Sequence, residues 1–263
     1  PPHIRRLEPA QPPEQSEQTE KADKGFRFDS EHHRYYFDGK QMTGVTTILD
    51  VLAKPALIQW AANMAVGLLA EKGTPYYGPN DDLKDHYVIT GELLEEARKA
   101  HAQKRDKSAD IGTLAHAWIE KWINASMGKG DYPIAEPSLM LMTGNFMQWI
   151  AEKRPKFIES EKVVHSKEHW FAGTLDFVCE MNGKTYLGDI KTGNGIYQEM
   201  WFQTAGYQLA LEECEPQRKI DGHLIVNITK DGKLNVMEHY DYETSKKAFL
   251  ACLELYQTLN QKL

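Results

Sequence analysis

An Asn-Gly pair at 182–183, set between two apolar, β-rich runs (171–181 and 184–190), constrains this chain more than any other feature. Asn and Gly both tolerate the positive φ of a two-residue type I′ turn, so the runs predict an antiparallel hairpin whose register follows from that turn. Met181 then pairs with Lys184, Cys179 with Tyr186, and Asp176 falls opposite Asp189. Directly opposed residues have Cβ atoms roughly 4.5–5.5 Å apart, where like charges destabilise the pair. Lys191, two positions beyond Asp189, projects from the same face. Two carboxylates and an ammonium on one side of an apolar hairpin call for compensation, and a hard divalent cation, which takes carboxylate oxygens, supplies it. By residue type alone, an exposed hairpin with scattered charges is the alternative.

The chain has 263 residues, enough to bury the core of one α/β domain with elaborations. A composition of 41% hydrophobic and 26% charged residues is that of a soluble globular protein. No apolar run is long enough to cross a bilayer and no signal-peptide pattern opens the chain, so no membrane is expected. Cys179, Cys214 and Cys252 are far apart and form no CxxC pair. That argues against a disulfide framework, a zinc ribbon or an iron–sulfur cluster and fits a reducing, cytoplasmic compartment. A net charge of −7 argues against a nonspecific cationic nucleic-acid coat while leaving room for a local groove.

Residues 1–25, with Pro1, Pro2, Pro9, Pro12 and Pro13 among many Glu and Gln, read as a disordered tail or linker. The missing initiator Met reads as a sign of a piece of something longer. The remainder, 26–263, reads as one domain: an N-terminal elaboration (26–110) and a core (111–263). A small hairpin (26–28 with 35–37) precedes a turn at Asp38-Gly39. A helix is expected to start near Thr46 and Thr47, another to cover 57–72, and 73–88 to be loop. Thr90, Leu93 and Leu94 open a helical region, and a basic run (Lys99, His101, Lys104, Arg105, Lys107) leads to an amphipathic helix over 113–125. Then follow a helix (138–153), a strand (157–165), the Asn-Gly hairpin and a helix (197–212). A second hairpin (222–229 with 233–239, turning at Asp231-Gly232) and a helix (244–261) close the chain. Three strands, a helix, two strands and a helix predict an α/β fold with a central mixed five-stranded sheet flanked by helices.

Asp176, Asp189, Ile190 and Lys191 compose a D…D-x-K pattern on the hairpin. Two acids can hold Mg²⁺ or Mn²⁺, which polarises a phosphate and lowers the pKa of bound water. A lysine beside it can orient the water or stabilise developing charge, and its own pKa is expected to fall toward the general-base range.

These residues resemble the PD-(D/E)XK nuclease superfamily, in particular its RecB-type exonuclease branch. Gly173-Thr174-Leu175-Asp176 followed by Gly188-Asp189-Ile190-Lys191-Thr192-Gly193 looks like that branch's second motif, with Leu175 where the superfamily name has proline. Gly112-Thr113-Leu114-Ala115-His116 resembles its upstream G-x-x-x-H motif, and Gln203-Thr204-Ala205-Gly206-Tyr207 its downstream Q-x-x-x-Y motif. The elements stand in family order over 112–207. The resemblance implies a restriction-endonuclease-like core with an N-terminal helical elaboration. It implies His116, Asp176 and Asp189 as metal ligands, completed by the carbonyl of Ile190, and Lys191 as the water-activating or charge-stabilising residue. Glu161 would help to hold water or a second cation, and Gln203 and Tyr207 would position the site and the DNA backbone. Gly44-Val45-Thr46-Thr47 is similar to a Gly-x-Thr-Ala/Ser element of phage recombination exonucleases, in which a hydroxyl contacts phosphate. The activity implied is that of a DNA exonuclease with one or two Mg²⁺ or Mn²⁺ ions, in phage or prophage recombination or DNA repair. DNA would be its partner, with a single-strand annealing or recombinase protein as a companion and a homo-oligomer as an open alternative. A structure-selective endonuclease on the same core, and a catalytically silent DNA-binding module, are the rival readings.

His116 and Glu120 form an i, i+4 pair beside an apolar stripe (Ala115, Trp118, Ile119, Trp122, Ile123). Glu120 reads as a solvated or capping partner rather than a ligand. Lys99, Lys104, Arg105 and Lys107 could clamp a phosphate chain or form a plain solvated face. Glu31-His32-His33 has the composition of a metal cluster but reads as structural within the small hairpin.

Overall fold

The Asn-Gly turn forms in the expected register. Met181 pairs with Lys184 and Cys179 with Tyr186, and the ladder ends at Phe177–Gly188. Asn182 and Gly183 both have positive φ, 53° and 76°, as a type I′ turn demands. The structure is a computed structural model; it describes residues 25–75 and 87–260, without the side chains of 55, 56 and 107–109. The tail expected over 1–25 therefore lies outside the described residues, except Gly25.

The chain divides into two units, Pro1–Gln41 and Met42–Leu263. In the first, β1 (Phe26–Asp29) and β2 (Arg34–Phe37) pair antiparallel as the expected small hairpin. His32 bonds Asp29 and His33 bonds the Tyr35 hydroxyl at 2.9 Å, so both serve the hairpin. Crossing the division comes β3 (Lys40–Gly44). The second unit continues with α1 (Val45–Leu49), α2 (Pro55–Lys72), β4 (Thr74–Pro75), β5 (Tyr87–Val88), α3 (Gly91–Ser126), α4 (Met140–Lys153) and β6 (Lys156–Ser166). It ends with β7 (Phe171–Met181), β8 (Lys184–Lys191), α5 (Gln198–Cys214), β9 (Gly222–Ile228), β10 (Leu234–His239) and α6 (Tyr242–Asn260).

The five expected strands are present in the order β6-β7-β8-β9-β10, mixed because β8 and β9 run parallel while the other pairs are antiparallel. Five is nevertheless too few. β3 adds a parallel strand on β7 through Thr43–Phe171 and Gly44–Ala172. Its sequence, Lys-Gln-Met-Thr-Gly, buries only Met42 and carries no apolar alternation to announce it. The stretch read as loop also contains a short pairing, β4 with β5; residues 76–86 lie outside the description.

Helices cover both faces of this sheet. On one face Ala115, Trp118, Ile119 and Ile123 of α3 and Met142, Phe146 and Trp149 of α4 pack with Phe177, Cys179, Tyr186 and Ile190. On the other, Val45 and Ile48 of α1, Tyr207 and Leu211 of α5 and Phe249 and Leu253 of α6 pack with Phe171, Leu175, Val178 and Leu187. Helix α3 starts at Thr90, whose hydroxyl accepts the Leu93 N–H at 3.2 Å, an N-cap. It then runs unbroken for 36 residues, where two separate segments were expected. The basic run is made of good helix formers, so nothing in it ends the helix. Among the described residues, no helix is long and apolar enough to cross a membrane.

Candidate active site

β8 delivers Asp189 and Lys191 to the face covered by α5. Asp189 is 1% exposed, and its Oδ2 lies 2.6 Å from Lys191 Nζ, an ionic contact without an aligned hydrogen bond. The other oxygen, Oδ1, accepts from Gln203 Nε2 at 3.1 Å, and Gln203 Oε1 accepts from Lys191 Nζ at 3.1 Å. Gln203 Nε2 also donates to the Tyr207 hydroxyl at 2.8 Å. A single amide thus binds the acid, the base and the phenol, with its oxygen facing the ammonium and its nitrogen facing the carboxylate. Close approach of α5 to β7 makes this possible: a Cβ at Gly173 would stand 2.5 Å from the Tyr207 ring.

Asp176 sits where the hairpin ladder stops. Two residues beyond Gly188, the last paired residue of β8 on this side, the Ile190 N–H donates to Asp176 Oδ2 at 2.6 Å. The same oxygen lies 3.1 Å from His116 Nε2 and accepts its N–H when the ring is protonated there. His116 arrives from α3. One turn earlier Gly112 lets that helix close on the end of β8, since a Cβ there would meet Thr192 Oγ1 at 2.5 Å.

The strand changes phase at this point. Leu175 belongs to the core under α5 and α6, while Phe177, two residues on, belongs to the core under α3 and α4. In a regular strand the two would share a face. Asp176 therefore bonds toward α3 and Asp189 toward α5. The register holds as far as Phe177–Gly188, but the expected pair of Asp176 with Asp189 is not part of the ladder: two acids side by side on one face give way to acids flanking a break in it.

Glu161 lies opposite Asp176 on β6, bracketed by Ser160–Phe177 and Lys162–Leu175. It adopts a left-handed conformation, φ 51°, and its Oε1 is buried with no hydrogen-bond partner. Ligand atoms of His116, Glu120 and Glu161 lie within 4.8 Å of one another. Glu120, set aside from the sequence as a solvated partner, is thus part of the cluster: the i, i+4 spacing that aligns it with His116 also aims it at β6.

The protein's own charges perturb this group strongly. Burial works against a charged His116, but the hydrogen bond and charge of Asp176, with Glu161 and Asp189 behind, outweigh it and lift the imidazole to about 9. Burial, then the charges of Asp176 and Glu120, push Glu161 up to about 7. Burial raises Asp189 to about 6 even though Lys191 opposes the shift. Burial also opposes charge on Lys191, yet Asp189 and Asp176 hold it above its ordinary range. The expected fall of the Lys191 pKa is therefore not produced by the residues around it.

The other expected contacts lie apart. Thr46 and Thr47 are exposed on α1, and Lys99, Lys104 and Arg105 are exposed on α3, with Arg105 bonded to Asp106 at 3.2 Å. The Lys107 side chain lies outside the described residues. No hydrogen bond or ion pair among the described residues ties these groups to the carboxylates. A participant not foreseen is Asn227 on β9, 1% exposed and paired in register with Lys191. With its amide nitrogen toward two carbonyls it donates to Lys191 O at 3.2 Å and Gly193 O at 3.1 Å, tying down the end of β8. Only the parallel pairing of β8 with β9 brings it there, and no local motif signals that.

One imidazole and several carboxylates, with a buried Glu161 oxygen left without a partner, are a donor set that fits a hard divalent cation.

No protein-family model matches the chain, and no curated protein sequence is significantly similar to it. Among solved structures it is similar to the crystal structure of SSO0001 at 16% identity and a TM-score of 0.29, covering 48% of this chain and 63% of that one. It is similar also to an alkaline exonuclease (LHK-Exo) from Laribacter hongkongensis at 16% identity and a TM-score of 0.27, covering 49% of this chain and 76% of that one. The chain thus spans less than two thirds of the first structure's length. Neither likeness is close enough to bear on function.

Proposed function

We propose that this protein is a Mg²⁺- or Mn²⁺-dependent deoxyribonuclease that hydrolyses phosphodiester bonds from DNA ends, acting in recombination or repair. One observation carries the reading: the buried Asp189 carboxylate, held by Lys191 and Gln203, lies one step from the point where Asp176 joins His116 and the Ile190 N–H. His116, Asp176, Asp189 and the Ile190 carbonyl would hold the cation. When bound, such an ion polarises a phosphate and lowers the pKa of water.

The chain's own residues supply the rest. The Lys191 ammonium has three donors. Asp189 and Gln203 engage it and leave a donor for a phosphate oxygen or the attacking water. Held charged by two carboxylates, Lys191 is suited to stabilising negative charge on phosphorus rather than to removing a proton. Gln203 fixes its position, and Tyr207 fixes Gln203. The preference for ends rests on the motif resemblance over 112–207.

The test is digestion of end-labelled single- and double-stranded linear DNA, and of covalently closed circles, with Mg²⁺, with Mn²⁺ and with EDTA. Nucleotides are expected from linear DNA with either cation, none in EDTA, and an intact circle. Failure of any cation to support cleavage overturns the nuclease reading, and cutting of the circle replaces the exonuclease by an endonuclease.

A further inference from the structure

β9 is buried along its whole length, and its side chains divide between two faces. Leu224, Val226 and Ile228 belong to the core under α3 and α4. The alternate set, His223, Ile225 and Asn227, stands in register with Leu187, Asp189 and Lys191 of β8. His223 serves α5, its ring nitrogens lying 2.9 Å from Thr204 Oγ1 and 2.7 Å from Gln208 Oε1. Asn227, 1% exposed, turns instead to the end of β8. A buried amide in an apolar strand destabilises the fold unless its groups are bonded.

Backbone groups alternate in direction along β8. Thr185 turns its N–H and its C=O to Asp221, just before β9. Lys191, in step with Thr185, does the same toward β9, while Ile190, out of step, gives its N–H to Asp176 on the β7 side. At Lys191 the strand ends. Its carbonyl accepts from the Asn227 amide at 3.2 Å, and the carbonyl of Gly193, already past the strand, accepts from the same nitrogen at 3.1 Å. One side chain thereby stands in for the next rung of the ladder. Across the exit, Thr192 Oγ1 packs against Gly112 of α3, where a Cβ would lie 2.5 Å from it. Lys191 is thus gripped at both levels: its backbone between Asp176 and Asn227, its ammonium between Asp189 and Gln203.

We infer, on the nuclease reading above, that Asn227 is a positioning residue for Lys191. By fixing the peptide at the end of β8 it sets the point from which the lysine side chain springs, and so where the ammonium meets the phosphate. The need is for a donor rather than for a shape. Aspartate has nearly the same outline but would turn a carboxylate oxygen toward two carbonyl oxygens. Among the described residues, no side-chain hydrogen bond joins Asn227 to His116, Asp176 or Asp189, so its loss should slow cleavage while cation binding stays.

Asn227→Ala and Asn227→Asp are made in the full chain, with Thr90→Ala as a control for stability lost far from the carboxylates. Single-turnover cleavage of end-labelled linear DNA at saturating DNA and Mg²⁺ is read beside the steady-state KM, and Mn²⁺ affinity is measured by calorimetry without DNA. Asn227→Ala is expected to cleave at least about tenfold more slowly, with KM and Mn²⁺ affinity within about threefold of wild type. Asn227→Asp should be slower still, and Thr90→Ala as fast as wild type. Should Asn227→Ala fail to fold by circular dichroism, Asn227→Ser carries the same expectation. A wild-type rate in the folded variant, a rate that falls only together with Mn²⁺ affinity, or Asn227→Asp faster than Asn227→Ala overturns the inference and leaves the nuclease reading in place. A wild type inert with Mg²⁺ and with Mn²⁺ overturns the nuclease reading, and the role of Asn227 with it.

Discussion

Replacing Gln203 with alanine removes the one side chain that touches the acid, the ammonium and the phenol together. Three hydrogen bonds go: to Asp189 at 3.1 Å, from Lys191 at 3.1 Å and to Tyr207 at 2.8 Å. Bonds to charged groups contribute about 1.5–3 kcal/mol each and a neutral one about 0.5–1.5, so the gross loss is roughly 4–7 kcal/mol. Gln203 is only half-buried, so water can enter the space and restore part of that. The Lys191–Asp189 contact also survives. A net destabilisation of about 2–4 kcal/mol is expected, read from the urea midpoint at constant slope. The catalytic loss should be larger in proportion. Lys191 would keep its charge but lose its position, and a misplacement of about 1 Å costs on the order of a hundredfold in rate. Single-turnover cleavage of linear DNA at saturating Mg²⁺ separates this from weakened substrate binding. A variant within about 0.5 kcal/mol of wild type and equally fast would refute Gln203 as the positioning residue for Lys191.

Three further outcomes follow from the same geometry. Folded-state pKa values raised to about 9 for His116, 7 for Glu161 and 6 for Asp189 contribute stability that is fully present below their unfolded values of 6.5, 4.5 and 3.8. That stability is lost as pH rises through the folded values, so in EDTA the part of the melting temperature owed to these groups, read as the difference between wild type and Glu161→Gln, should fall between pH 3.8 and about 9. Saturating Mg²⁺ should flatten this profile, because a cation takes the protons' place, and a profile that is flat in EDTA contradicts the charge balance described. Gly188→Ala would put a Cβ 2.0 Å from the Phe177 ring and should cost at least about 1–3 kcal/mol in urea unfolding. Thr90→Ala, which deletes the N-cap of α3, should cost about 1 kcal/mol and leave cleavage unchanged.

What the sequence made legible was local. A turn that accepts only certain residues set the register of β7 and β8 to the residue, and i, i+4 spacing put Gln203 with Tyr207 on one face of α5. The helical region opening at Thr90 and the amphipathic helix over 113–125 are one helix, because the basic run between them holds nothing that ends a helix. Non-local relations were hidden. β3 is too short and too polar to announce itself, and Asn227 meets Lys191 only because a parallel crossover places β9 beside β8. The phase change between Leu175 and Phe177 depends on how β7 is gripped by two helix layers, which no alternation pattern encodes. Glu120 was visible beside His116 but acquired meaning only when β6 brought Glu161 to the same spot.

The most direct test of the central claim is Mg²⁺-dependent release of nucleotides from linear DNA by wild type and by Asp189→Ala, with the fold of both checked by circular dichroism. Asp189 is the buried acid on which Lys191 and Gln203 converge. Release by the wild type that disappears in EDTA and in a folded Asp189→Ala variant is the predicted result. Undiminished release by that variant would contradict the account.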